Sequence, residues 1–406
     1  MDRHLMSGAF SAAVEACNPE DAVASTMTDP AVTTILAAAE RVIVVAIGKA
    51  APAMSRGVER VVPRVSGIAV SDHVEECPIE LIVGDHPVPG GRSLIGGERV
   101  LQAVREAGSS DAVLFLISGG GSALVESLVP GVALADLATT TRVLIEGGVP
   151  IEEINEVRAS LSEVKAGRLA AAAGTSRIAT FVLSDVVGGG PEVVASGPSI
   201  PSELGGKAHQ ILDRAGLSEQ VPESVLEAIA ARRAAVLPIS QPVIEVGSTV
   251  RSAAEAQAWL ESMGVASTIL TTELVGPTDR AVGKLLGAVD DDSVVIASGE
   301  TIVEVSGEGL GGRNQHAALA ASIAIEGTDL VFAAFGTDGR DGPTEAAGGI
   351  VDGGSAGRMR TAGIDPEAAF ERCDSYHALE ASGDLVISGP TGTNVADLWI
   401  VGRSKG

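Results

Sequence analysis

The stretch VLFLISGGGSAL, residues 113–124, decides the fold class. Val113–Ile117 is an unbroken apolar run, the pattern of a strand covered on both faces in a parallel sheet. The run stops at Ser118, and Gly119, Gly120 and Gly121 permit a turn that a Cβ would obstruct. Ser122 then stands where a helix beginning near Ala123 takes its cap. Strand, glycine loop and helix start in succession aim backbone N–H groups at an anion. The same pattern also suits a tight turn whose glycines serve packing alone.

Outward from this stretch the pattern repeats. Val42–Ile47 reads as a second buried strand, turned by Gly48, with Lys49 opening a helix at the carboxyl edge of the sheet, where open α/β folds bind ligands. The surrounding residues are not a Walker A loop, which needs GxxxxGK followed by Ser or Thr. Ile68–Val70 and Leu81–Val83 are shorter strands, and the latter leads into GDHPVPGG (84–91), a loop stiffened by Pro87 and Pro89 with His86 inside it. A helix is expected from about Arg92 to Ala107. TFVLSDVVGGG (180–190) is again strand then loop, with Ser184 and Asp185 at the strand's end. Residues 1–40 read as two helices broken at Asp29 and Pro30. Residues 133–174 read as largely helical, placing Arg158, Lys165 and Arg168 on neighbouring turns, as a solvated face or an anion-facing stripe. The alternation predicts an α/β, Rossmann-like, doubly wound and mostly parallel sheet.

A helix near Glu223–Ala235 leads to LPISQP (237–242), the linker candidate. From about Val243 the strand-like runs come closer together. VIASGETIVEV (295–305) reads as a hairpin turned at Gly299 and Glu300, and Ile302–Ser306 as a half-exposed antiparallel strand. The expected division is 1–238 for the first domain and 239–406 for a smaller mixed α/β domain, with the last ~20 residues a candidate to pack back on the first.

Composition limits the partners. The chain has 406 residues, 45% of them hydrophobic, with 53 Asp and Glu against 28 Lys and Arg, a formal charge of −25. Nucleic acid is excluded, since phosphate backbones need basic surface. No run approaches the ~20 apolar residues of a membrane span, and the N-terminus has no secretory signal pattern. Cys17, Cys77 and Cys373 are odd in number and far apart, which argues against a disulfide framework or zinc site and for a reducing cytoplasm. The five lysines, Lys49, Lys165, Lys207, Lys284 and Lys405, are few for this length. Such an acidic surface suits a salt-rich cytoplasm, or else the ordinary proteome of a GC-rich genome.

Gly307, Gly309 and Gly312 spell G-x-G-x-x-G, but the preceding strand reads as part of a hairpin, so dinucleotide binding is the weaker reading. Arg313 at the following helix start suits an anion clamp. Asp338 and Asp341, in GTDGRDG (336–342), suit Mg²⁺ binding or proton acceptance, or merely an Asx-rich turn.

Taken together, SGGGSAL, NEVRASLSEVKAGRLA, LSDVVGGGPEVVASGP, GEGLGGRNQ, GTDGRDGPTEAAGG and GPTGTNVADL resemble the MOFRL-type glycerate 2-kinases, in matching order from about Val42 to Leu398. The resemblance implies ATP-dependent, Mg²⁺-requiring phosphorylation of D-glycerate at its 2-hydroxyl, with the active site between the two domains. It implies Lys49 and Arg313 as the essential basic pair and Asp338 as base or metal ligand. Gly119, Gly120, Gly121 and Ser122, with Lys165 and Asn314, are expected at the nucleotide, and His86, Asp341, Thr393 and Asn394 at glycerate. Departures from the family are Gly189 and Gly190 in place of acids, Thr249 for Asn and His316 for Glu, so Asp185 joins Asp338 as the expected metal ligand. The partners are then small molecules, with a homodimer left open. Hydroxypyruvate reduction with NAD(P)H and non-catalytic binding of a sugar acid are the competing readings.

Overall fold

The computed structural model describes residues 1–174, 176–231, 239–290 and 293–404. Apolar runs become the inner strands β1 (Arg41–Ile47), β2 (Ser66–Ser71), β4 (Asp111–Ser118) and β5 (Arg177–Leu183), and two more exposed runs become the edge strands β3 (Glu80–Val83) and β6 (Val243–Gly247). They form one sheet in the order β3-β2-β1-β4-β5-β6, and β1 to β5 pair in parallel. Every residue of β4 is buried. Val113, Phe115 and Ile117 pack with Val45, Ile47 and Val182 in the core. Burying a side chain such as Phe115 contributes about 1.5–3 kcal/mol. The strand order reverses between β1 and β4, which is the switch point where a parallel sheet opens a crevice at its carboxyl edge.

Chain tracing divides differently from the sequence expectation. One compact unit holds Pro19–Leu183 and Gly189–Val246, and the other holds Met1–Asn18, Ser184–Gly188 and Gly247–Gly406. Residues after 238 still belong to the first sheet. Ile239 packs on its core, Gln241 hydrogen-bonds Thr180 and Ser199, and β6 is its edge strand. Residues 237 and 238 of the proposed linker and residues 232–235 of the expected helix lie outside the described residues; 239–242 form neither helix nor strand, and the described helix is Glu223–Ala230. The N-terminal 40 residues form three helices, Arg3–Ala16, Pro19–Thr26 and Pro30–Ala37, with Asp29 capping the third. The first of them joins the second unit: Phe10 stacks on Phe335 at 4.5 Å and Arg3 reaches Asp384 at 2.6 Å.

The second unit's sheet consists of β7 (Ser267–Pro277), β8 (Val294–Ile302), β9 (Leu330–Gly336), β10 (Gly348–Asp352), β11 (Leu385–Val386) and β12 (Asp397–Arg403), ordered β11-β10-β9-β12-β8-β7. Among the described strands of this sheet only β7 and β8 pair in parallel. The expected hairpin is absent, because β8 runs straight through Gly299 and Glu300 between β7 and β12. Val303–Ser306 form no strand. The last described strand belongs to this second sheet: β12 sits between β8 and β9, with Trp399 fully buried.

Candidate functional site

At the switch point of the first sheet, β1 and β4 end side by side. Gly48 adopts φ +125°, and a Cβ there would meet the Ser118 hydroxyl at 2.2 Å. The Lys49 N–H donates to the Gly119 carbonyl at 3.0 Å, and Ala50 N–H to the Ser118 hydroxyl at 3.1 Å. The helix after Lys49 begins at Ala51, so the lysine stands in the turn itself, exposed. Gly120 adopts φ +82°; its missing Cβ would touch the Lys49 side chain at 3.3 Å and the His86 ring at 3.4 Å. The sequence candidates Lys49, Gly119, Gly120 and His86 thus converge on one edge. Partial burial, then the Lys49 charge, hold the His86 imidazole below its ordinary pKa, which keeps it neutral near pH 7. His86 also lines a polar cleft of about 610 Å³ with Asp72, Asp85 and Arg92. Asp72 accepts from His73 at 2.7 Å and feels Lys49.

Ser122 is not the cap of a helix beginning at Ala123. The helical turn is Gly121–Leu124, its cap position is Gly120, and the Ser122 hydroxyl pairs with that of Ser196 at 2.9 Å. Lys165 is likewise moved inside. Its helix expectation fails because the helix ends at Ser160, and the lysine is 1% exposed. Its ammonium donates to Glu126 at 2.8 Å and to the carbonyls of Ser122 and Val125 at 3.1 and 3.5 Å. Those contacts use all three of its N–H groups, leaving none for a nucleotide. Burial lowers the pKa of Lys165, opposed by Glu126. Arg158 also donates to the Ser122 carbonyl at 3.1 Å, while Arg168 holds the Ala159 carbonyl at 2.9 Å. Lys165, buried, and Arg158, half-buried, thus brace the glycine loop at the Ser122 carbonyl, while Arg168 holds the backbone beside them. Glu126, fully buried, was missed by sequence reasoning; a lone acid after Ala-Leu-Val was its one signal.

In the second unit, Arg313 begins the helix Arg313–Ala324. Its guanidinium is not open to an incoming anion: it forks onto Asp397 at 2.6 and 3.0 Å and meets Glu300 at 2.7 Å. Burial alone would lower its pKa, but Asp397 and Glu300 together raise it. Burial pushes the Asp397 carboxyl up to about 6, with Arg313 opposing. Asp341 also differs from its expected role at glycerate. It is 3% exposed and accepts from the N–H groups of Asn314 and Gln315 at 3.1 and 2.7 Å, capping this helix from a distant loop. Burial raises its pKa against those hydrogen bonds. Asn314, fully buried, links Asp341, Asp397 and the Trp399 indole N–H, so its side chain serves the fold and not a nucleotide. Asp397 and Glu300 were missed by sequence reasoning, hidden beside apolar strand runs.

Asp338 is half-buried and accepts from the Arg340 N–H at 3.0 Å. Thr393 is buried and donates to the Cys17 carbonyl at 2.6 Å, which ties down the N-terminal helix instead of presenting a ligand group. Asn394 is exposed, its side chain accepting from Ala396 N–H at 3.1 Å in a local turn. The G-x-G-x-x-G glycines face their own chain: a Cβ on Gly307 or Gly309 would lie 2.5 Å from the Arg372 carbonyl, and one on Gly312 would lie 2.4 Å from Asp341. No room for a pyrophosphate is created there. His316 stacks on Phe370 at 4.3 Å and borders a separate cavity of about 380 Å³.

Residues 5–230 match the family described as a domain of unknown function, DUF4147, and residues 293–397 match the MOFRL family. The D-glycerate 2-kinase of Thermotoga maritima is 38% identical over 382 residues, 89% of this chain and 90% of that protein. A protein of Agrobacterium vitis with a provisional hydroxypyruvate reductase name is 35% identical over 98% of this chain and 93% of its own. The crystal structure of glycerate kinase from Thermotoga maritima has a TM-score of 0.89 to this fold, at 36% identity and 99% coverage of both chains. By sequence over most of its length and by fold, the chain belongs to the MOFRL-type glycerate 2-kinase family.

Proposed function

We propose that this chain transfers the γ-phosphoryl group of ATP to the 2-hydroxyl of D-glycerate, giving 2-phosphoglycerate and ADP. The observation that carries the reading is the 38% identity to a D-glycerate 2-kinase across 89% of the chain. The edge where Lys49, Gly119–Gly121 and His86 converge supports it, because phosphoryl transfer needs positioning and charge neutralisation more than covalent chemistry. In the transfer, the bond from the γ-phosphorus to the bridging oxygen of ADP breaks as the bond from the glycerate 2-oxygen forms. Lys49 balances charge on the transferring group, the backbone of the glycine loop holds phosphate oxygens, and Asp338 takes the hydroxyl proton. Arg313 acts as the second cation, and Glu300, itself half-exposed, must swing away for an anion to reach it.

Among the described residues no three His, Cys, Asp or Glu are grouped to hold a metal. Mg²⁺ needs no such group, since it is commonly held by one or two carboxylates together with substrate phosphates. Asp185 and Asp338 are the carboxylates we assign to it, and bound there it would neutralise phosphate charge. The free thiols of Cys17, Cys77 and Cys373 fit a reducing cytoplasm.

Purified protein supplied with ATP, Mg²⁺ and D-glycerate is expected to form ADP and 2-phosphoglycerate in equal amounts. Formation of 3-phosphoglycerate alone would overturn the regiochemistry. The reductase reading draws on the name of the Agrobacterium relative. The fingerprint glycines packed on Arg372 and Asp341 weigh against it. Oxidation of NAD(P)H by hydroxypyruvate without ADP release would establish it instead.

A further inference from the structure

The first unit carries an apolar groove of about 440 Å³ that the phosphoryl chemistry does not use. Its volume falls in the range of small-molecule pockets, roughly 300–1,000 Å³. One wall is the Pro87–Pro89 segment of the His86 loop, and the other is made by the helices Leu134–Glu146 and Ile151–Ser160. Val88, Ile145 and Ile151 stand 66%, 62% and 60% exposed along it, so the chain itself leaves these side chains uncovered. Isolated exposed apolar residues mean little, but three on one groove call for an occupant.

Two features select the occupant. Arg158 lines the groove and at the same time donates to the Ser122 carbonyl of the glycine loop, so one side chain separates the apolar walls from the phosphate-binding turn. Pro87 and Val88 likewise border both this groove and the polar cleft of His86. Glycerate is small, polar and anionic and has no face for such walls. Of the two reactants, only the nucleotide joins an apolar flat ring to a polyanion. The groove also carries Arg142, paired with Glu146 at 3.4 Å, and Arg158, and a guanidinium stacks well on a heteroaromatic face.

We infer that this groove binds the purine of the nucleotide substrate, with its phosphates leading past Arg158 to Gly119–Ser122. The inference rests on the kinase reading above but is tested by binding, which needs no turnover. Ala138 lines the groove and is exposed, so Ala138→Trp fills it without touching the core; Ile145→Asp sets a carboxylate two turns further along the same groove-facing side of that helix. Calorimetry with ADP and with inorganic tripolyphosphate separates base from phosphate recognition. The expected result is a loss of ADP affinity of about tenfold or more in both variants, with tripolyphosphate binding unchanged. In turnover the KM for ATP should rise by a similar factor with kcat and the KM for D-glycerate held. Unchanged ADP affinity, or equal losses for both ligands, overturns the assignment. A shift in sedimentation of the variants with ADP binding intact would make the groove a self-association face and also overturn it. ADP binding that follows the expected pattern without any phosphoryl transfer to glycerate would sink the kinase reading and leave the groove's assignment standing.

Discussion

Lys49 is exposed at the end of β1, yet its stem lies against the Cβ-less face of Gly120 beside His86. A merely solvated lysine at that turn would be dispensable, worth within ~0.5 kcal/mol of stability. A lysine that balances charge on the transferring phosphoryl should behave as a lost transition-state contact. Lys49→Ala is therefore expected to lower kcat by about 10²-fold or more with the melting temperature held, and Lys49→Arg should restore little. Near-normal turnover in the alanine variant would remove Lys49 from catalysis. Asp397 gives a second test at this scale. Burial raises its pKa from 3.8 to about 6, so the folded protein binds that proton more tightly than the unfolded chain. The stability it contributes is then fully present below pH 3.8 and declines as pH rises through about 6. Melts of the wild type and Asp397→Asn between about pH 4 and 7 should differ by an amount that shrinks with rising pH. A difference that grows would mean that Arg313 outweighs burial at this carboxyl.

Among the elements, the glycine loop depends on what lies beneath it. Lys165 and Glu126 are 1% and 0% exposed, and breaking such a pair by removing one partner typically costs about 3–5 kcal/mol, because the other charge is left buried. Lys165→Met should lower stability in denaturant melts on that scale and weaken ATP use as the Ser122 carbonyl is released. Lys165→Met with Glu126→Leu should recover much of the stability. Failure of the double variant to recover would mean that the carbonyl contacts, not the ion pair, hold the brace. This element also marks what the sequence could and could not convey. The strands around Val42–Ile47 and Val113–Ile117 were legible, because a run with no polar face has one place to go. So were the turns at Gly48 and Gly119–Gly121 and the meeting of Lys49 with the glycine loop, since both follow parallel strands at a switch point. Lys165 was misread because its charge suggests a wet face, and only a distant partner, Glu126, makes burial tolerable. Asp341 was taken for a ligand because the Asn314 N–H that it caps lies 27 residues earlier in the chain. The placement of β12 between β8 and β9 was hidden for the same reason: its pairing is non-local.

For the whole molecule, 53 acidic side chains stand against 28 basic ones, so a net excess of 25 negative charges remains whatever the geometry. Many arginines are already engaged, as Arg60 is with Asp21 and Arg403 with Asp329, both half-exposed pairs. Lys165, one of only five lysines, contributes nothing to the surface. Salt acts on these terms in opposite directions. It screens the exposed pairs, but each is worth only about 0–1 kcal/mol. It also screens the repulsion among the surplus carboxylates, which acts between all of them and falls steeply as the Debye length shortens from about 10 Å at 0.1 M to 3 Å at 1 M. With an excess this large the second effect wins, and the melting temperature should rise from low salt to molar KCl. Most of that rise should come below about 1 M, where the Debye length changes most. A rise confined to higher concentration would point to salting-out of apolar surface, and potassium sulfate would then exceed KCl at equal ionic strength. A melt that is flat or falls through the first molar of KCl would show that the acidic surface is already spread widely enough for its repulsion to be negligible, and the expected preference for a salt-rich interior would fall with it.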